Sequence, residues 1–329
     1  MKHNNYFQVI AKNNFDLGIQ LGTNFKRELM LSLNKQRKND NWGIRVDKSK
    51  VYLEVTEKHF PSYIDELKGY AKGSGVDFRE LWALRMLWAL NIEDDRCTTL
   101  VTNGGFLVSH NEDWEVGTKD TISVLKKTVG KLTIFELYYP NTLGGCAVSV
   151  NSHGFFQGIN TLTHSGSQVG IPRNIIARFL SETNNPEKDF RKLKALTRQF
   201  GYSHVIVNSE GKTWNVESTG SDALLVKPEL PFVHTNHFLT DLKSFDKDDN
   251  SCGTHDRYTF AKRYAKPNMK RNELEKLVSD TSKGKKVSLF NERTIGRMIV
   301  DFKERVAKVW LLREKEKGWV DYELDFLNL

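Results

Sequence analysis

What the chain lacks narrows its class before any motif is considered. Its 3 cysteines, Cys97, Cys146 and Cys252, are odd in number and far apart, so they form neither a disulfide framework nor a CxxC metal pair. No apolar run approaches the roughly 20 residues that span a bilayer. The start, "MKHNNYFQVIAKNNFDLG", has one lysine and no continuous apolar stretch of the kind that directs secretion. No membrane association and a cytoplasmic location are therefore expected. Prolines number only 7, and hydrophobic residues at 39% with aromatics at 11% describe a globular chain, not a disordered or collagen-like one. No internal repeat, low-complexity tract or linker divides it, so a single domain over residues 1–329 is expected, ample for a sizeable core. The net charge of +8 is spread out; the nearest thing to a basic run, around Lys283 to Lys286, lacks interleaved aromatics, which reads as a solvated face and not a nucleic-acid surface.

The patterns that are present alternate between helix and strand. "SYIDELKGYAKGSG" places Ile64, Leu67, Tyr70 and Ala71 on one face, with Ser62 as cap and Gly73 as stop. "VDFRELWALRMLWALNIEDD" follows, opened by an Asp77/Glu80 capping box. From Cys97 the period becomes two: "TTLVTNGGFLVSH" reads as a hairpin about Asn103-Gly104-Gly105. Further strands are expected in "TISVLKKTV", "KLTIFELYY" and "CAVSVNSHGFFQGINTLT", with short connections that favour antiparallel pairing. A helical block around Pro172 and Pro186, a second set of strands, two short helical stretches near Tyr258 and Leu274, and a last pair of strands complete an α+β pattern.

Cys97 is the residue whose setting asks for chemistry. Two hydroxyls follow it, and a three-residue loop places it opposite Asn111, with Asp113 on the same face. A nucleophile also needs a base and an oxyanion site. By strand parity His110 falls on the face away from Cys97, and the odd spacing of His234 and His237 on a strand makes a poor metal pair. Neither a cofactor nor a metal is expected. Cys146 and Cys252 read as small buried hydrophobes.

"DRCTTLVTNGGFLVSHNEDWE" resembles the nucleophile region of the acyl-coenzyme A:6-aminopenicillanic acid acyltransferase type of N-terminal-nucleophile hydrolase, the peptidase C45 group. Asn111-Glu112-Asp113 resembles its N-x-D element, "FDLGIQLG" its amino-terminal glycine pair, and "VNSHGFFQGINTL" its G-x-N strand pair. "GIPRNIIARFLSE" resembles its proline-arginine helix and "HTNHFL" its T-N-H element. The resemblance implies a four-layer αββα sandwich and a precursor cut between Arg96 and Cys97 by Cys97 itself. It also implies a thioester route to hydrolysis of a linear small-molecule amide, or to acyl transfer. The freed α-amine of Cys97 would then serve as base, near its usual pKa of roughly 7.7 to 8. Asn236 would donate to the oxyanion, Asp113 would orient the cysteine amine, Thr99 would brace Cys97, and Arg293 or Arg297 would supply an arginine, with Arg293 preferred. Arg96 stands where relatives often have the glycine that tolerates strain. The rivals are a choloylglycine-hydrolase-like amidase, disfavoured by the long helical segment before Cys97, and a non-catalytic binding protein on the same scaffold.

Overall fold

The computed structural model describes residues 2–90, 97–140, 142–247 and 253–327. Two sheets form its centre. The first has eight strands in the order Tyr6–Ala11, Ser123–Val129, Leu132–Tyr138, Val148–Asn151, Phe155–Thr161, Tyr202–Asn208, Thr213–Ser218, Ala223–Val226. The second has six, in the order Phe232–His234, Thr98–Thr102, Leu107–Asp113, Thr294–Asp301, Val306–Leu311, Val320–Glu323. Among the described strands one pairing is parallel, Tyr6–Ala11 against Ser123–Val129; its first member is a strand that the sequence reading did not include.

Alternation along each strand sorts side chains into layers. Val101, Val108 and Met298 of the second sheet meet Val124, Phe135 and Val150 of the first in a core between the sheets. The outer face of the first sheet, with Leu125, Tyr138 and Val216, packs under helices that contribute Leu21, Ile64, Leu67 and Ile175. The outer face of the second, with Leu100, Leu107 and Ile299, is covered by Ala261, Leu274 and Leu277. The result is the four-layer αββα sandwich that the resemblance implied.

The amino-terminal glycine pair has a packing reason. A Cβ on Gly18 would lie 1.9 Å from the Glu66 carbonyl oxygen, and one on Gly22 would lie 2.2 Å from that of Tyr70. Gly69 and Gly73 on the facing helix meet Phe15 and Ile19 carbonyls in the same way, at 2.1 Å each. The helices Asn14–Asn24 and Pro61–Ser74 therefore touch backbone to backbone, a contact only glycine allows. Gly73 is thus a packing glycine and not the helix stop. The stop is Gly75, left-handed at φ 73°, and the start is Pro61 with no side-chain cap from Ser62. Asp77 caps the next helix as expected, accepting from the Arg79 and Glu80 amides. Glu80 does not complete the box; it binds Arg37 and the Trp42 indole.

Candidate active site around Cys97

Cys97 enters the second sheet at the head of the hairpin Thr98–Thr102 and Leu107–Asp113. The connection is four residues, Asn103 to Phe106, not three: Thr102 pairs with Leu107 and Thr98 with Asn111. Asn103, Gly104 and Gly105 all have positive φ. A Cβ on Gly105 would come within 2.0 Å of the Gly211 carbonyl, so the turn is shaped by a close contact with another hairpin. One extra loop residue moves every partner side chain to the other face. The thiol consequently meets Glu112, and Asp113 points away from it, reversing the parity read from sequence.

Cys97 Sγ lies 3.4 Å from Glu112 Oε2. Glu112 Oε1 accepts from the Tyr139 hydroxyl at 2.6 Å, and Oε2 contacts His110 Nε2 at 2.9 Å. His110 Nδ1 reaches Thr99 Oγ1 at 2.9 Å, and Thr99 donates to Asn160 Oδ1 at 2.8 Å. Asn160 Nδ2 donates to the His234 carbonyl, which turns its Oδ1 toward Thr99. Glu112 joins Tyr139, His110 and Cys97 through its two oxygens. The G-x-N element is explained by the same contacts. Asn160 ends the chain, and a Cβ on Gly158 would stand 3.0 Å from Thr99 Oγ1 and 3.1 Å from His110 Nδ1.

On the opposite face one guanidinium ties the site together. Arg257 Nη1 donates to the Cys97 carbonyl at 2.9 Å and to Thr98 Oγ1 at 2.7 Å, while Nη2 donates to Asn236 Oδ1 at 2.9 Å. Asp113 Oδ2 accepts from Asn291 at 2.5 Å. Burial pushes the Asp113 carboxyl up to about 6, against the pull of Arg257 and of hydrogen bonds from Thr294 and Asn291. The folded chain therefore holds this proton at pH values where the unfolded chain has lost it. The stability it lends is complete below the ordinary value of 3.8 and is lost as pH rises through about 6, a difference on the order of 3 kcal/mol. Urea melts should show the unfolding free energy of wild type falling relative to Asp113→Asn by about 2 to 3 kcal/mol between pH 4 and 7, then running parallel. A difference that rises over this range, or none, would contradict the assignment.

The T-N-H element is organised by Thr254 on the helix Thr254–Tyr264. Thr235 Oγ1 donates to the Thr254 carbonyl at 3.1 Å, the Asn236 amide to Thr254 Oγ1 at 2.7 Å, and His237 Nδ1 contacts that oxygen at 3.0 Å. Asn236 Nδ2 donates to the Thr161 carbonyl at 3.0 Å. Burial alone would raise Glu217; bonds from His234, Thr240 and Leu239 outweigh it and hold the carboxyl at about 2. His234 is thus occupied by Glu217 and His237 by Thr254. Among the described residues the one trio with metal-ligand spacing is Cys97, His110 and Glu112, whose ligand atoms all lie within 4.8 Å. Sulfur, imidazole and carboxylate suit zinc, but an ion there would have to replace the hydrogen bonds of 2.9 and 3.4 Å that join these atoms.

Cys97 and Glu112 open onto a cleft walled by Trp114, Tyr139, Thr161 and Tyr202, and by Arg173 and Asn174 from the helix Arg173–Ser181. Pro172 is the N-cap of that helix. Cys146 also lines it, which its apolar sequence neighbours did not foretell; burial raises its thiol to about 12. Arg293 is half-buried, and its carbonyl holds the Trp114 amide at 2.9 Å. Arg297 is buried against the Phe290, Trp310 and Trp319 rings, and Asp113 opposes the fall that burial gives it, to about 10. Arg96 and Cys252 lie outside the described residues.

Glu112, Tyr139, His110 and Arg257 are the site residues that sequence reasoning did not assign. For Arg257 a signal exists: it shares the buried stripe of its helix with Thr254 and Ala261, and an arginine on a core-facing stripe is seldom without a purpose.

A curated Drosophila melanogaster protein, beta-alanyl-dopamine/carcinine hydrolase, is 29% identical over 210 residues, 55% of this chain and 54% of that protein. The chain thus spans about half the length of that relative. Solved structures with similar folds are a penicillin V acylase from Agrobacterium tumefaciens (13% identity, TM-score 0.44, 66% of this chain and 83% of that one) and a conjugated bile acid hydrolase from Clostridium perfringens (11%, TM-score 0.47, 70% and 93%). No helix among the described residues is long and apolar enough to cross a membrane. The family model of acyl-coenzyme A:6-aminopenicillanic acid acyl-transferase matches residues 100–316, about two thirds of the 329 residues, and the chain belongs to that family.

Proposed function

We propose that the chain is a cysteine amidase of the N-terminal-nucleophile kind, with Cys97 attacking the carbonyl of a linear small-molecule amide. The observation that carries this reading is the thiol at a cleft, 3.4 Å from the Glu112 carboxylate. The thiol proton leaves to a base as sulfur bonds to the carbonyl carbon. The C–N bond then breaks, the amine departs with a proton, and water cleaves the thioester to the acid. In the uncut chain Glu112 is the acceptor in reach; once the Arg96–Cys97 bond is cut, the α-amine of Cys97 takes over. That cut divides one domain over residues 1–329 into two chains that stay together.

Asn236 is the oxyanion donor in this reading: one of its two amide hydrogens is used by the carbonyl of Thr161, a cleft residue, and Arg257 anchors its oxygen beside the Cys97 carbonyl. Asp113 answers the charge of Arg257 and so fixes the backbone of Cys97. Thr99 braces the thiol indirectly, through His110 and Glu112, and Arg293 acts by holding Trp114 at the cleft wall.

The relative's name, beta-alanyl-dopamine/carcinine hydrolase, supports amide cleavage over the non-catalytic reading. Water is the simplest acyl acceptor, so hydrolysis comes before transfer. Incubation with N-acyl amino acids, acylated amines and penicillins should release free amine from at least one class; adding a second amine and finding its acylated product would shift the reading to transfer. No release from any of them would remove the reading.

A further inference from the structure

The connection from the strand Leu132–Tyr138 to the strand Val148–Asn151 forms one wall of the Cys97 cleft, to which Thr142 and Cys146 both contribute. Between those two residues the backbone turns through Gly144 and Gly145, left-handed at φ 82° and 71°. It lies directly on a buried ion pair. Lys127 Nζ stands 2.6 Å from Glu136 Oε1, and neither side chain is more than 1% exposed. A Cβ on Gly144 would come within 2.4 Å of both atoms. The charges hold the wall by its backbone. Lys127 Nζ donates to the Leu143 carbonyl at 2.8 Å, and Arg178 Nη1 donates to the same oxygen. Glu136 Oε2 accepts from the Gly145 amide at 2.6 Å. Arg178 is set in turn by Glu182 at 2.8 Å and by Glu66 at 3.3 Å, the latter on the helix Pro61–Ser74 that precedes Cys97 in sequence.

Ions this deeply buried lose hydration that apolar side chains of like volume never had, so such a cluster adds little to stability. What it adds here is direction. Two cations on one carbonyl and a carboxylate on the amide two residues later specify a single path for the wall. We infer that Lys127 and Glu136 are positioning residues for this wall: they set the room beside the Cys97 thiol, and so which acyl groups fit there, without touching the reacting atoms. Selection among acyl groups rests on the amidase reading; the room beside the thiol does not.

The test compares wild type with the double variant Lys127→Met/Glu136→Gln, which leaves neither half of the pair charged. Cys97 is alkylated with iodoacetamide and, separately, with N-benzyliodoacetamide, and its modification is followed by peptide mapping. In both reactions sulfur displaces iodide and the thiol proton goes to solvent, so the ratio of the two rates cancels thiol reactivity and reads room. The benzyl reagent should gain about 10-fold or more on the small one in the variant, with the iodoacetamide rate within about 3-fold of wild type. In turnover of p-nitrophenyl phenylacetate, KM should move by about 10-fold while kcat stays within about 3-fold. Glu136→Gln alone keeps the size and the acceptor for the Gly145 amide; it should shift the ratio by about 3-fold, and it serves if the double variant does not fold. A folded variant whose melting temperature falls while its alkylation ratio and KM stay at wild-type values would reduce the cluster to a structural role and overturn the inference. Equal slowing of both reagents, or a Cys97 that neither reagent reaches, would overturn it as well. A shifted ratio in a protein that no ester acylates keeps the wall and loses the amidase reading. Acylation of Cys97 with an unshifted ratio does the reverse.

Discussion

Cys97→Ala is expected to abolish turnover, by about 10⁴-fold or more, since a nucleophile acting with its base as a unit leaves little behind when removed. It is also expected to stay one chain, while wild-type protein separates under denaturing mass spectrometry into a short amino-terminal and a longer carboxy-terminal piece. Cys146→Ser is the control that the structure makes necessary, because Cys146 lines the same cleft. Burial lifts its thiol to about 12, which disfavours the thiolate that attacks; turnover in Cys146→Ser should remain within a few-fold of wild type. An intact wild-type chain that is fully active would remove the cleavage step and leave the nucleophile standing. Full activity in Cys97→Ala would remove the nucleophile.

Glu112→Gln should be the second most damaging change. Glutamine keeps the size and can still meet Tyr139 and His110, but in the uncut chain it cannot take the thiol proton, so few chains reach the cut, active form. A loss of about 10²- to 10⁴-fold in kcat/KM is expected, with chain cleavage slowed at least as much, because the α-amine does not exist until cleavage is done. The substrate KM should change little. The same variant separates acid-base chemistry from metal chemistry, since Cys97, His110 and Glu112 have ligand spacing. Chelators should leave wild-type activity unchanged. Inactivation by a chelator, reversed by zinc, would transfer the three residues to a metal site.

Much of the architecture is legible in local pattern. Strand and helix segments around Val124, Phe135, Phe156 and Ile175 fall where alternation, prolines and caps place them, because each is decided by its own residues. The hairpin at Cys97 shows where this stops. Two strands and a glycine turn are readable, yet the loop is one residue longer than the glycines suggest, and its Gly105 packs against Gly211, more than a hundred residues away. That one residue decides whether Glu112 or Asp113 faces the thiol. Arg257 and Asn291 reach the site across comparable separations, and no spacing rule announces them. The motifs were legible in a different sense. G-x-N and T-N-H were recognised as patterns, and their reasons are contacts: Gly158 leaves room for Thr99 and His110, and Thr254 gathers Thr235, Asn236 and His237. Arg293 and Arg297 show the converse. Both lie near the last strands, but burial and the rings of Phe290, Trp310 and Trp319 distinguish Arg297, and nothing in the order of residues does so.

The account depends above all on Cys97 carrying the acyl group. The most direct measurement is acid quenching of a short reaction with an activated acyl donor, such as a p-nitrophenyl ester, followed by peptide mapping by mass spectrometry. The acyl mass should be found on the peptide that contains Cys97, be released by hydroxylamine as a thioester is, and be lost in Cys97→Ala. An acyl group found on Cys146 or on another side chain during turnover, with Cys97 unmodified, would contradict it.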